Sequence, residues 1–246
     1  PIVLLAAAFM VPHTTVIGEV EIEEVVADSP AARAGLVPGD ILVAINGKPV
    51  PNTGELNRYI RLNLGKEITV AVKHDGATRT VRLTPRWNPP PGQGATGIAV
   101  KMLAPAIVVE KVPFWRAIPM GVTELLDTFV LFKNAIITMI IGTVPVQLTG
   151  PVGIAQMTGE VAQAGIGPLL EFAAFLSINL AIINMLPLPA LDGGRIAFVL
   201  LEWARRGKRI PPKVEALVHT IGFAMLLGLI LIVTYQDIIR IVGSGG

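Results

Sequence analysis

The chain has 246 residues, 52% of them apolar and 15% charged, with a net charge of +2 and no cysteine. A soluble domain carries about 25% charged residues, so this composition, with a mean hydropathy of +0.64, excludes a single soluble core and fits long apolar runs that collect toward the C-terminus. The absence of cysteine removes disulfides and thiolate metal sites, and a small charge without a basic stripe interleaved with aromatics gives no footing for a nucleic-acid partner.

The apolar run 2–11 is half the length a spanning helix needs. It lacks a basic segment before it and a small-residue cleavage site after it, so it makes a poor signal peptide. It is expected to be the C-terminal half of a transmembrane helix (1–13) whose start lies outside this chain. A short buried strand or helix is the alternative.

Residues 16–86 are mixed in pattern. A Val/Ile/Glu-rich stretch (16–26) suits a strand or strand pair. Ser29-Pro30-Ala31-Ala32-Arg33-Ala34-Gly35-Leu36 predicts a short helical turn closed by glycine, and Gly39-Asp40 leads into a strand over 41–45. Asn46-Gly47 supplies a turn that needs positive φ. Asn52 with Glu55 three residues on predicts a capped helix to about Asn63. Strands over 68–73 and 78–83 flank Asp75-Gly76, a hairpin turn. The succession Ser29-Pro30-Ala31, Ala34-Gly35-Leu36, Gly39-Asp40-Ile41-Leu42 and Ile45-Asn46-Gly47 resembles the core of bacterial PDZ domains. That resemblance implies binding of extended peptide segments by strand addition at a sheet edge.

Residues 87–97 hold three consecutive prolines and three glycines and read as a linker. A β-prone stretch follows (98–112). The helical pattern over 114–141 carries Arg116, Glu124, Asp127 and Lys133, more charge than a lipid-facing span tolerates cheaply. It is expected to lie on the membrane as an amphipathic helix, with a true span as the alternative. Leu148 to Ile154 reads as a turn-rich apolar loop. Two stretches (about 169–187 and 214–236) are long and apolar enough to cross. The loop between them holds Arg195, Arg205, Arg206, Lys208, Arg209 and Lys213 against Glu202. The positive-inside rule makes that loop (195–213) cytoplasmic and the PDZ-like module extracytoplasmic.

Asn184-Met185-Leu186-Pro187-Leu188-Pro189-Ala190-Leu191-Asp192-Gly193-Gly194 is the most informative stretch. Prolines at the end of a membrane helix free backbone groups that must be satisfied internally, and an ionisable residue there is a functional candidate by default. The bland alternative is that Asp192 only caps the next helix, 195–206. The pattern Asn-x-x-Pro-x-Pro-x-Leu-Asp-Gly-Gly is similar to the second signature of the site-2 proteases, intramembrane zinc metalloproteases. Leu148 to Ile154, Ser177-Ile178-Asn179-Leu180, and Asp237 with Arg240 also resemble this family, as does the order of elements. The resemblance implies an α-helical polytopic membrane protein with an inserted α/β, mostly β, PDZ domain, in a bacterial cytoplasmic membrane. It implies zinc as cofactor and membrane-spanning proteins as substrates. Asp192 would be a zinc ligand, and Asn184 would hold substrate or polarise its carbonyl. Pro187, Pro189, Gly193 and Gly194 would shape the backbone around the metal.

The family's first signature, a helical His-Glu-x-x-His, would supply two further ligands and the general base. Here the histidines are His13, His74 and His219, none with a partner four residues away. A lone histidine is ordinarily packing or surface. The expectation is that the missing signature lies upstream of Pro1 and that this chain alone is inactive. The alternative is a non-catalytic membrane PDZ protein that binds or shields clients.

Overall fold

The structure, a computed structural model, describes residues 1–143, 149–205 and 210–244. The chain combines eight helices and six strands among these residues and divides into two units.

One unit comprises Pro12–Pro113 and Val122–Val146. It is built on a sheet of β1 (His13–Val25), β2 (Ile41–Ile45), β3 (Lys48–Pro49), β4 (Ile68–His74), β5 (Ala77–Leu83) and β6 (Ile98–Glu110). The order is β5-β4-β2-β1-β6, with β3 paired to β2, and the neighbouring strands are antiparallel. Both predicted turns form with consecutive positive φ: Asn46 at 49° and Gly47 at 77°, Asp75 at 48° and Gly76 at 84°. That geometry matches the twist of the strands it joins. The short helix α2 (Pro30–Arg33) is capped by the Ser29 hydroxyl, which accepts from the Ala32 N–H. In α3 (Thr53–Leu62) the cap is Asn52, whose Oδ1 accepts from the Glu55 N–H at 2.8 Å. Val20, Ile22, Leu42, Leu56, Ile68 and Val72 are buried between α3 and the sheet. Residues 87–97 hold no helix or strand, and the chain then re-enters the same sheet as β6, paired with β1 along 13–25.

The helix α4 (Phe114–Ile141) has the predicted bounds, and its residues from Val122 belong to this unit. Its charges are used differently from a solvent-facing stripe. Arg58 of α3 donates to Glu124 at 2.6 Å and to Asp127 at 2.9 Å. Asn134, buried, donates to the Arg61 carbonyl at 2.7 Å. These residues recur at helical spacing on one face. Leu126, Phe129 and Ile140 stand exposed elsewhere on the helix. The polar face therefore packs against protein, and the apolar face is the uncovered one.

The other unit comprises Pro1–Val11, Phe114–Gly121 and Gln147–Gly246. It holds α1 (Ile2–Met10), α5 (Pro151–Gln163), α6 (Ile166–Met185), α7 (Asp192–Ala204) and α8 (Pro212–Ser244). α1 packs along α6, and α5 packs on α6 and α8. Ala6, Ala8, Gly167 and Ala174 are buried, small residues that let helix backbones approach. α6 and α8 are long and apolar enough to cross a membrane, by length and composition.

One expectation is overturned. The stretch expected as a loop is helical from Pro151, while Leu148 lies outside the described residues. Proline suits the first helical position, where its missing N–H costs nothing. Arg206, Lys208 and Arg209 of the basic loop also lie outside the described residues.

Candidate functional site

α6 ends at Met185 and α7 begins at Asp192, so the eleven-residue motif forms the corner between two helices. Leu186 leaves the helix with φ −66° and ψ 142°, the extended geometry imposed on a residue that precedes proline. Short backbone bonds then close the turn, from Leu188 N–H to the Leu186 carbonyl at 2.7 Å and from Gly194 N–H to the Leu191 carbonyl at 3.1 Å. Ala190 is held at φ 74°, a region that costs a non-glycine residue about 1–3 kcal/mol.

The two glycines are required by contact, not by φ. A Cβ on Gly193 would lie 2.2 Å from the Leu186 carbonyl oxygen, and one on Gly194 would lie 2.3 Å from that of Leu188. The first turn of α7 is thus pressed onto the end of α6.

Asp192 is exposed at the first position of α7, and Asn184 is half-buried in the last turn of α6. The N-cap position of α7 is Leu191, and Asp192 is the first helical residue, so among the described residues the bland reading of Asp192 as a cap does not match its place. The N-terminal dipole of α7 still favours its negative charge. Pro187 and Pro189 are exposed. Among the described residues no three of His, Cys, Asp and Glu converge as a metal-binding group. Asp192, uncommitted and at a helix N-terminus, fits one position of a zinc shell, and the described residues offer no second one beside it.

A residue that sequence reasoning set aside sits at this corner. His219 of α8 accepts from the Ala190 N–H on Nδ1 at 3.0 Å. Three residues on, a Cβ at Gly222 would lie 2.3 Å from the Cβ of Pro189. The usable signal was the pair His219 and Gly222, one turn apart at the head of the long apolar run of α8. The other two histidines lie in the sheet unit, and His74 stands 2.9 Å from buried Asp40.

The remaining motif residues form a second buried contact. Asp237 of α8 is 1% exposed, and its Oδ2 accepts from the Gly153 N–H at 2.8 Å, while Arg240 approaches Oδ1 at 3.4 Å.

Residues 1–229 match Peptidase family M50. The chain is 33% identical to zinc metalloprotease RasP of Oceanobacillus iheyensis over 91% of this chain and 52% of that one. It is 40% identical to the regulator of sigma-W protease RasP of Bacillus subtilis, over 86% of this chain and 49% of the relative. It thus spans about half the length of these relatives. Among solved structures, the PDZ domain of an SdrC-like protein from Listeria monocytogenes is 24% identical over 33% of this chain and 85% of that one, with a TM-score of 0.30. With the match running through both units and the motif at the corner, the chain belongs to peptidase family M50, the site-2 proteases.

Proposed function

We propose that this chain is part of an intramembrane zinc endopeptidase that cleaves membrane-spanning client proteins. The observation that carries the reading is the corner itself: a proline-broken helix end, two glycines that admit no side chain, and an exposed aspartate with no other commitment. Asp192 supplies one zinc ligand. When bound, zinc supplies Lewis acidity toward a peptide carbonyl and activates water at neutral pH. Asn184, one corner away, positions the substrate carbonyl or the oxyanion that develops from it. Pro187 and Pro189 keep the substrate-facing backbone out of helical hydrogen bonding, and Gly193 and Gly194 let it fold tightly.

The β-rich unit acts as a PDZ domain that receives extended peptide segments. The sheet order leaves β6 as a free edge, with α3 beside it, and strand addition at such an edge is the PDZ mode. α6 and α8 span the bilayer, α4 lies on it with its apolar face, and the basic connection 195–213, which includes most of α7, is cytoplasmic.

Substitutions in the whole protein test the assignment. Asp192→Ala should remove zinc and cleavage together. Asn184→Ala should keep zinc and lose about 10²–10³ in rate, the loss seen when one oxyanion donor is removed. Normal zinc and normal cleavage in Asp192→Ala would remove the central residue from this reading.

A further inference from the structure

We propose that His219 is a positioning residue for Asp192: it locks the backbone of the corner from which the carboxylate projects. The inference rests on the reading of Asp192 as a zinc ligand. Among the described residues Asp192 has no side-chain bond to hold it, so its place is set by the backbone before it and by the first turn of α7. That backbone includes Ala190, two residues earlier, in a left-handed conformation that an L side chain rarely adopts. A strained conformation persists only where its surroundings over-determine it. The surroundings here come from α8.

Three observations converge on that helix. His219 Nδ1 takes the Ala190 N–H at 3.0 Å. Gly222 removes the side chain that would otherwise strike Pro189, the residue before Ala190. The His219 ring lies 5.6 Å from the Phe198 ring of α7, and its Cε1 is 3.5 Å from where a Cβ of Gly194 would stand. The imidazole is therefore wedged between the corner and α7. Its Nε2 is buried without a hydrogen-bond partner among the described residues, so the polar commitment of the ring is to the Ala190 amide. A ring nitrogen that accepts must be the unprotonated one, which makes this a neutral imidazole serving as acceptor. Ligand-orienting contacts of this kind are typically worth about 10–100-fold in metal affinity.

Two variants separate positioning from packing. His219→Phe keeps the ring volume and the contact with Phe198 but removes the acceptor. His219→Asn places an amide oxygen near the Nδ1 position and restores it. Hydrogen exchange over residues 186–191 and zinc affinity by chelator competition are measured on the whole protein. The expected result is exchange at least about tenfold faster over 186–191 and zinc held about 10–100-fold more weakly in His219→Phe, with both close to the parent in His219→Asn. Parent-like exchange and zinc affinity in His219→Phe would overturn the proposal. So would faster exchange throughout the molecule in both variants, which would make His219 a packing residue. If Asp192→Ala retains zinc, the ligand assignment fails by itself, and the exchange over 186–191 still reports whether His219 locks the corner.

Discussion

Oδ2 of Asp237, near the end of α8, accepts the Gly153 N–H in the first turn of α5 at 2.8 Å. The N-cap residue of α5, Gly150, has no side chain to offer, so Asp237, 84 positions beyond Gly153, does the capping. Two glycines make room for it. A Cβ on Gly150 would stand 2.8 Å from Oδ2, and one on Gly153 would stand 3.1 Å from Oδ2 and 2.7 Å from Thr149 Cγ2. Removing a buried acceptor leaves its donor unsatisfied, at about 1–3 kcal/mol. Asp237→Ala should therefore lower stability by about that amount, and Asp237→Asn by less, since asparagine also caps well. Thermal unfolding in detergent reads both.

The glycines of α5 should respond with opposite signs. Glycine inside a helix costs about 0.5–1 kcal/mol relative to alanine. Gly159→Ala meets nothing within 4 Å and should gain that amount. Gly153→Ala gains the same helix propensity but must displace Thr149 and Asp237, at about 1–3 kcal/mol for overpacking. It should be net destabilising. Equal responses at both positions would remove the cap from the account of α5.

At the helix corner the alanine substitutions should be harsher. The added methyl of Gly193→Ala or Gly194→Ala would meet backbone carbonyls, which cannot rotate away as a side chain does. Each should open the turn between α6 and α7 and raise protease sensitivity within 186–194. In the whole protein, zinc should fall with it. Gly228→Ala in α8, with nothing within 4 Å, is the control and should leave zinc unchanged.

Arg58 faces three acids, Glu124 at 2.6 Å, Asp127 at 2.9 Å and Glu55 at 3.7 Å, and they are not equivalent. Burial pushes the Glu124 carboxyl above its ordinary range; Arg58 opposes that, and Asp127 and Glu55 add to it. A carboxyl whose folded-state pKa is raised binds its proton more tightly in the folded chain. Its contribution to stability is full below its ordinary value of 4.5 and is lost as pH rises through the raised one. Glu124→Gln should flatten that fall and cost little at neutral pH. Asp127→Asn should weaken the hold of α4 on α3, since the one α4 carboxylate then left to Arg58 is the one that burial disfavours, and Glu55 lies on α3 itself. Urea unfolding of the parent and both variants between pH 4 and pH 8, on the order of one unit per step, measures the slopes.

The proposed topology has a simple check because the chain holds no cysteine. Thr78→Cys, beside the β4–β5 turn, should react with an impermeant thiol reagent on intact cells, and Gly207→Cys should not. Labelling at Gly207 alone would invert the orientation.

The turns and caps of the sheet unit were legible because their signals are local, whereas the pairing of β6 (98–110) with β1 across the linker, beyond the expected module 16–86, was not. Asn46-Gly47 and Asp75-Gly76 demand particular turns, and Asn52 caps α3 without help from elsewhere. The contacts that pin the helical unit were not legible, because each joins residues far apart in sequence. Nothing near His219 announces Ala190, and nothing near Gly153 announces Asp237. The stretch before Ile154 looked like a loop because glycine and proline are read as helix breakers. Here proline starts the helix and glycine admits a carboxylate. The charges on α4 suggested a solvated face, and only the position of Arg58 shows that Glu124 and Asp127 face protein, while Arg116 and Lys133 are exposed.

His219 and Asp237 both sit on α8, 18 residues apart, which is five turns at about 3.6 residues per turn and about 27 Å of rise. The two anchors therefore lie in phase along one edge of the helix, separated by nearly the thickness of a bilayer's hydrocarbon, about 30 Å. In the proposed topology the two polar contacts would fall near the two boundaries of the bilayer, with the mainly apolar stretch 221–233 between them. Such a helix has a single permitted register. Inserting one residue between the anchors would turn one of them about 100° away from its partner, so α8 behaves as a gauge whose length and phase are set by two points of attachment.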